Sequence, residues 1–240
     1  MDYKFAQNDN FEDFAAGRVI YNAPGYTNFP VRLASEIFSR CYELINADGK
    51  VTLYDPCCGI GYLLTTLGFL HGDKISEIYG SDIATDALVL AEKNFQLLKN
   101  EGLVTRLKDL ESKHLQFGKQ SHQEAMISCE KLSQLLASDV KTTIFQRDVL
   151  DKDFKSKLPL IDVIICDVPY GELVEWESDF KSFDDITRMV DNLGKNLNNS
   201  GVLAVISDKK QKINSGTLVR VSKFQVGKRK VEFFRKKVDE

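Results

Sequence analysis

No apolar run in this 240-residue chain approaches the roughly 18 residues that a membrane-spanning helix needs, so an integral helical membrane protein is excluded. The opening stretch MDYKFAQNDNFEDF lacks the basic and apolar regions of a signal peptide, and a cytoplasmic protein with no membrane partner is expected. Cysteine is sparse. Cys41, Cys57, Cys58, Cys129 and Cys166 are odd in number and show no CxxC spacing, which excludes a disulfide framework and a zinc site. They read as small buried residues, and no metal is expected. Neither disorder nor a fibrous class fits a chain that is 43% hydrophobic and 28% charged. One domain over residues 1–240 is expected, with residues 1–50 as a lead-in and helix.

What is present is organised around Val51 to Tyr62, VTLYDPCCGIGY. A short apolar strand ends at Asp55, Gly59 and Gly61 turn the chain, and an apolar helix runs from Leu63 to Leu70. In a parallel α/β sheet, ligands bind beyond the carboxyl ends of the strands, and a glycine turn lets main-chain N–H groups approach a nucleoside or phosphate. The turn is therefore a candidate cofactor seat. A plain strand-to-helix turn would look the same.

A second strand, Glu77 to Ile83, ends at Asp82, and a helix follows from Ala84 to Leu98 with Leu88, Ala91, Phe95 and Leu98 on one face. Asp82 stands 21 positions past Gly61, 82 minus 61, the interval expected of an acid that holds the ribose hydroxyls of a bound nucleoside. The same residue is a good cap for the helix after it, and the two roles are compatible. Before the first strand, Leu33, Ile37, Cys41, Leu44 and Ile45 predict a helix over Val31 to Asn46. Arg32 at its start opposes the helix dipole unless it pairs with Glu36 one turn on or reaches an anion.

Residues 101–140 break the alternation and read as a helical insertion, whose Lys108, Lys113, His114, Lys119 and His122 are expected on a solvated face. Strands resume at Thr142 to Gln146, followed by Asp148, and at Ile161 to Cys166. A helix over Asp184 to Leu197, a strand over Gly201 to Ser207, and an antiparallel pair, Leu218 to Phe224 with Lys230 to Phe234, complete the pattern. The net charge of −3 hides an asymmetry: Lys209 to Lys237 holds eleven Lys or Arg against Glu232 alone. Such a face can bind phosphates, with Lys228, Arg229 and Lys230 as candidates.

Asp167-Val168-Pro169-Tyr170-Gly171 resembles the (D/N)-P-P-(Y/F) motif of amino-methyltransferases, with Val168 in place of the first proline. The resemblance implies that the Asp167 side chain and the Val168 main-chain carbonyl accept hydrogen bonds from the target nitrogen while Tyr170 stacks on the base. The carbonyl does not depend on proline, although the loop loses some rigidity. With VRLASEIF, LYDPCCGIGYLLTTLGFLH, SDI, FGKQS and DVPYGE in view, the chain from about Arg18 onward resembles the avilamycin-resistance rRNA methyltransferase (AviRa) family.

That resemblance implies a Rossmann-like α/β methyltransferase fold, a mostly parallel seven-stranded sheet with helices on both faces plus the insertion. It also implies methyl transfer from S-adenosylmethionine to a guanine of large-subunit ribosomal RNA, in a family linked to antibiotic resistance. Cofactor contacts are expected from Arg32, Asp55, Gly59, Gly61, Asp82, Asp148, Val149 and Asp167. Substrate contacts are expected from Val168, Pro169, Tyr170 and the basic trio, with Asp167 and Tyr170 as the catalytic pair. Three alternatives stay open: a methyltransferase acting on DNA or protein, a nicotinamide-dependent oxidoreductase, and a non-catalytic RNA-binding module. The oxidoreductase is disfavoured by Leu64 at the third glycine position of GxGxxG.

Overall fold

The structure, a computed structural model, describes residues 3–151, 158–168 and 183–237. In chain order the elements are α1 (Val31–Ile45), β1 (Val51–Asp55), α2 (Tyr62–His71), β2 (Ile75–Asp82) and α3 (Thr85–Gln96). They continue with α4 (Asn100–Phe117), α5 (Gln120–Leu135), β3 (Lys141–Gln146), β4 (Ile161–Asp167), α6 (Phe183–Asn196), β5 (Leu197–Asp208), β6 (Leu218–Val226) and β7 (Arg229–Lys236). The strands form one seven-stranded sheet in the order β3-β2-β1-β4-β5-β7-β6. β1 to β5 pair in parallel, and β7 joins β5 and β6 in antiparallel. This is the Rossmann-like arrangement that the family resemblance implies, with α4 and α5 as the helical insertion.

Side-chain alternation along the strands feeds two cores, one on each face of the sheet. Leu53, Val163, Ile165, Val202, Ala204, Val231 and Phe233 pack with α1, α2 and α3. Ile161, Ile164, Cys166, Leu203 and Val205 pack with Ile186, Met189, Val190 and Leu193 of α6 on the other face. α2 is buried along most of its length, which explains why its sequence is apolar nearly all round rather than striped. Four of the five cysteines are buried as expected, while Cys57 keeps some exposure.

Two boundaries differ from the sequence reading. β5 starts at Leu197, not Gly201, because Leu197 already pairs with Ile161 before an irregularity in the register. At Gly201 a Cβ would lie 2.9 Å from the carbonyl oxygens of Ile161 and Asp162, so a glycine there marks close packing inside the strand rather than its start. The β6–β7 turn is Gly227-Lys228, with Gly227 at φ +56°.

The lead-in is fixed to this scaffold by buried polar groups. Glu36, fully buried on α1, accepts from the amides of Lys4, Phe5 and Ala6 at 2.7, 2.8 and 2.9 Å and from Arg40 Nε at 2.7 Å. Arg106 on α4 donates to the carbonyls of Val19 and Arg18 at 3.0 and 3.1 Å and lies over the Tyr21 ring. The insertion therefore braces the segment that leads into α1.

Burial raises the Glu36 carboxyl, but the three amides and Arg40 outweigh it and hold the group below its ordinary 4.5. Its stabilisation is thus present above the unfolded value and lost as pH falls through the folded one. Glu36→Gln is expected to cost about 1–3 kcal/mol in denaturant unfolding at pH 7, with the gap from wild type narrowing as pH drops below 4.5. A gap independent of pH would contradict this role.

Candidate active site

Because β3, β2, β1 and β4 are parallel neighbours, their carboxyl ends form one edge of the sheet. Asp55 ends β1, Asp82 ends β2, Asp167 ends β4, and Asp148 stands just past β3. The structure thus brings together four of the acids read from the sequence.

Asp82 organises the glycine turn. Its Oδ2 accepts from the Gly59 amide at 2.7 Å and its Oδ1 from the Ala84 amide at 3.0 Å, joining the β1–α2 turn to the entry of α3. Gly59 and Gly61 both adopt left-handed conformations, at φ +52° and +72°. A Cβ at Gly61 would also meet the Phe95 ring at 3.0 Å and Ala91 Cβ at 3.2 Å, so the turn is pressed directly against α3. Asn94 of α3 completes the clamp with both donors and its acceptor in use. Its Nδ2 donates to Ile60 O at 2.8 Å and Tyr21 O at 3.1 Å, and its Oδ1 accepts from Tyr21 N at 2.8 Å.

The remaining acids sit in contrasting surroundings. Asp55 is buried, accepts from Cys57 N at 3.0 Å, and is held well above the usual carboxylate range by desolvation, with the nearby charges of Asp167 and Asp82 adding to it. Asp167 is pushed up to about 7, also by desolvation, with Arg229 pulling it back. Its Oδ1 is buried and has no hydrogen-bond partner among the described residues. Asp148 Oδ1 accepts from Leu150 N at 2.8 Å, and the Arg147 amide donates to Asp82 O at 2.9 Å, which sets Asp148 beside the Asp82 corner. Val149 is buried and its carbonyl accepts from Asn192 Nδ2 at 3.0 Å. The Val168 side chain lies in the core and its amide donates to Ile206 O at 3.0 Å. Pro169 and Tyr170 fall outside the described residues.

Two expectations need correction. Arg32 does not pair with Glu36, whose carboxylate is taken up by Arg40 and the three amides. It donates instead to Ala6 O at 3.1 Å and Asn8 Oδ1 at 3.4 Å, with its guanidinium 3.9 Å from the Tyr3 ring, so its recorded partners belong to the N-terminal arm rather than the crevice. Lys230 is not a surface cation. It is buried, donates to Gln211 O, and lies 2.6 Å from Glu232 Oε2, a charge contact rather than a well-aligned hydrogen bond.

The basic trio thus splits: Lys228 is exposed, Arg229 is half-buried with its guanidinium 5.7 Å from the Phe29 ring, and Lys230 is internal. The lead-in was underread from the sequence. Tyr26 lies against Gly59, its hydroxyl 3.4 Å from Asp86 Oδ2, and Phe29 underlies Arg229. Its clustered aromatics and turn formers, YNAPGYTNFP, were the available signal.

This geometry agrees with relatives of known activity. The sequence profile described as rRNA methyltransferase AviRa matches residues 1–229. The chain belongs to the AviRa family of rRNA methyltransferases. It is 36% identical over 223 residues to the 23S rRNA (guanine(2535)-N(1))-methyltransferase of Streptomyces viridochromogenes, covering 90% of this chain and 88% of the relative. A solved structure of the rRNA methyltransferase aviRa from that organism matches with a TM-score of 0.88 at 34% identity, over 98% of this chain and 96% of the other. TrmN from Thermus thermophilus, at a TM-score of 0.51 and 15% identity over 87% of this chain and 49% of its own, shares the fold alone.

As an AviRa-family member the chain is an S-adenosylmethionine-dependent rRNA methyltransferase, and the oxidoreductase, DNA or protein, and non-catalytic readings fall away. The residues present fit that cofactor: two glycines free of side chains at the turn, an acid held in place at the end of β2, and at β4 a buried carboxylate oxygen without a partner among the described residues. Among the described residues no helix is long and apolar enough to cross a membrane, and no cluster of His, Cys, Asp and Glu could hold a metal.

Proposed function

We propose that this chain methylates N1 of a guanine in large-subunit ribosomal RNA. The observation that carries the reading is Asp167, a carboxyl at the crevice edge with a buried, unpartnered oxygen and an affinity for protons near neutrality. Guanine N1 bears a proton, and its nitrogen is not a nucleophile until that proton is accepted. A base whose pKa lies near the working pH is the efficient acceptor.

In this reading Gly59 and Gly61 seat the methionine portion of the cofactor, with Asp55 buried beneath them. Asp82 holds the ribose, and Asp148 with the Val149 amide flanks the adenine. When bound, S-adenosylmethionine supplies a methyl group on a positively charged sulfur that departs as a neutral thioether. Asp167 takes the N1 proton, and the Val168 carbonyl helps to orient the base. Pro169 and Tyr170 complete the acceptor loop, with Tyr170 as the stacking surface.

The direction of RNA approach follows from charge. Lys209, Lys210, Lys212 and Lys228 are exposed, and Lys209 N donates to Lys228 O at 3.0 Å, which joins the loop after β5 to the β6–β7 turn. Both lie at the edge where β5 ends and β7 begins, the edge that carries Asp167. We therefore place the phosphate-binding surface here and not on Lys230.

The raised pKa of Asp167 makes opposite demands on stability and rate. The folded state binds this proton more tightly than the unfolded chain, so stability is lost as pH rises from 3.8 to about 7 and stays lost above. Asp167→Asn is expected to be more stable than wild type above pH 7, by at most about 4 kcal/mol, and to converge with it below pH 4. Its single-turnover methyl transfer is expected to fall about 10²- to 10⁴-fold, with affinity for S-adenosylmethionine retained. A variant that transfers methyl at the wild-type rate would remove Asp167 from the chemistry.

For the RNA face, changing Lys209, Lys210, Lys212 and Lys228 together to Glu is expected to flatten the dependence of log RNA affinity on log salt. Each lost phosphate contact reduces that slope by about 0.7–0.9. Calorimetric affinity for the cofactor is expected to stay constant. An unchanged slope would put the RNA on another surface.

A further inference from the structure

We infer that Arg229 is the second half of the acceptor site, donating a hydrogen bond to O6 of the guanine while Asp167 takes the proton from N1. The inference rests on the guanine-N1 reading above and deepens it.

The fold puts the two groups on one face of the sheet. Asp167 follows Val163 and Ile165 in the alternation of β4, and Arg229 precedes Val231 and Phe233 in that of β7; all four apolar residues belong to the core beneath α1 and α2. Asp167 and Val231 flank the same residue of β5, Ile206, and Arg229 lies two positions nearer the open edge. Phe29 of the lead-in, part of that same core, lies under the Arg229 guanidinium.

Arg229 Nε, like Asp167 Oδ1, is buried without a hydrogen-bond partner among the described residues. The guanidinium is close enough for its charge to favour ionised Asp167, yet among the described residues no direct ion pair joins them. A cation and a carboxylate on one face of the sheet, each with a buried polar atom left unpaired among the described residues, leave those atoms for a third group. The natural occupant presents a donor and an acceptor side by side, and the N1–H and O6 edge of guanine does so.

The proton balance explains why the cation is needed. When the N1–H bond breaks, the proton passes to the Asp167 carboxylate and the electron pair stays on the base, shared between N1 and O6. Arg229 donates a hydrogen bond to O6 but gives up no proton. It therefore meets negative charge that is greater in the transition state than in the resting base, which is the condition for lowering the barrier. The pair at N1 would then form the new bond to the methyl carbon as the carbon–sulfur bond breaks and its electron pair leaves with the neutral thioether. The same fork excludes adenine, which carries an amino donor where guanine has O6 and would leave the guanidinium facing hydrogens.

The other groups that face Asp167 do not supply this function. Asp55 on β1 is itself an acid raised by the Asp167 charge, Cys57 from the turn packs toward the opposite core, Cys166 points into that core, and Lys230 is committed to Glu232 and Gln211. Among the described residues near the crevice edge, Arg229 is the cation whose field reaches Asp167.

The test uses the full chain with Arg229→Gln and Arg229→Lys, each checked for a wild-type thermal transition. Carboxyl-carbon NMR of the ligand-free protein follows the Asp167 titration. The Gln variant is expected to shift it to higher pH, because a charge that favours the carboxylate is gone, while the Lys variant stays closer to wild type. Single-turnover transfer to ribosomal RNA is expected to fall about 100-fold for Gln at every pH where Asp167 is ionised and to recover in part for Lys. An Asp167 titration that does not move in Arg229→Gln, or a transfer rate that stays at wild type, would overturn the inference. The wild-type product is identified in parallel. A methyl group away from guanine N1 would overturn the parent reading and this inference with it, whereas the ligand-free titration reports on the Asp167–Arg229 pairing independently.

Discussion

Three carboxylates on three adjacent strands, Asp82, Asp55 and Asp167, are held at one edge of a sheet whose interior disfavours their charge. Desolvation raises both Asp55 and Asp167, and Asp55 is raised further by its two acidic neighbours. Much else in the fold answers that constraint. Among the described residues Asp82 is given two main-chain donors, Asp55 one, and Asp167 the field of Arg229 without a hydrogen bond to its buried oxygen. The gradient from an acid with a main-chain donor on each oxygen to one with a buried, unpaired oxygen follows the work proposed for each. Asp82 fixes a turn through its two main-chain donors, whereas Asp167, in the function proposed for it, exchanges a proton. Such sites are stabilised by the rest of the protein rather than contributing to its stability.

The surrounding elements can be understood as supports for that edge. Asn94 locks the glycine turn to Tyr21, and Arg106 of the insertion holds the same lead-in from the other side. Glu36 gathers the N-terminal arm onto α1 through three amides. In this way a segment of little regular structure is given enough buried hydrogen bonds to act as a wall. Tyr26 then reaches Gly59, and Phe29 reaches Arg229, so one strap touches both the cofactor turn and the acceptor side.

The strands, the glycine turn and the acids were legible in the sequence because each is encoded locally. Val51 to Asp55 is apolar and ends in a charge, Gly59 and Gly61 are needed for positive φ, and Asp82 follows at a spacing set by one helix and one strand. The lead-in was not legible in the same way, since Tyr26 and Phe29 acquire their roles from residues far along the chain. Lys230 and Arg229 show the limit most clearly. Three consecutive cations look alike in sequence, but strand alternation and pairing with β5 and β6 send one to solvent, one to the crevice and one to a buried glutamate. Composition reports the charge and only pairing reports its direction. At Arg32 the sequence leaves open a Glu36 pair or an anion; the i to i+4 spacing permits the pair, but Glu36 takes its partners from the N-terminal arm and from Arg40.

The central claim is that this edge removes a proton from a ring nitrogen of guanine and directs a methyl group to it. The most direct measurement is to incubate the protein with labelled S-adenosylmethionine and unmodified large-subunit ribosomal RNA, digest the RNA to nucleosides and identify the labelled product by mass spectrometry. The account predicts label in 1-methylguanosine. Label in an exocyclic-amine product such as N2-methylguanosine, or in a nucleoside other than guanosine, would contradict it.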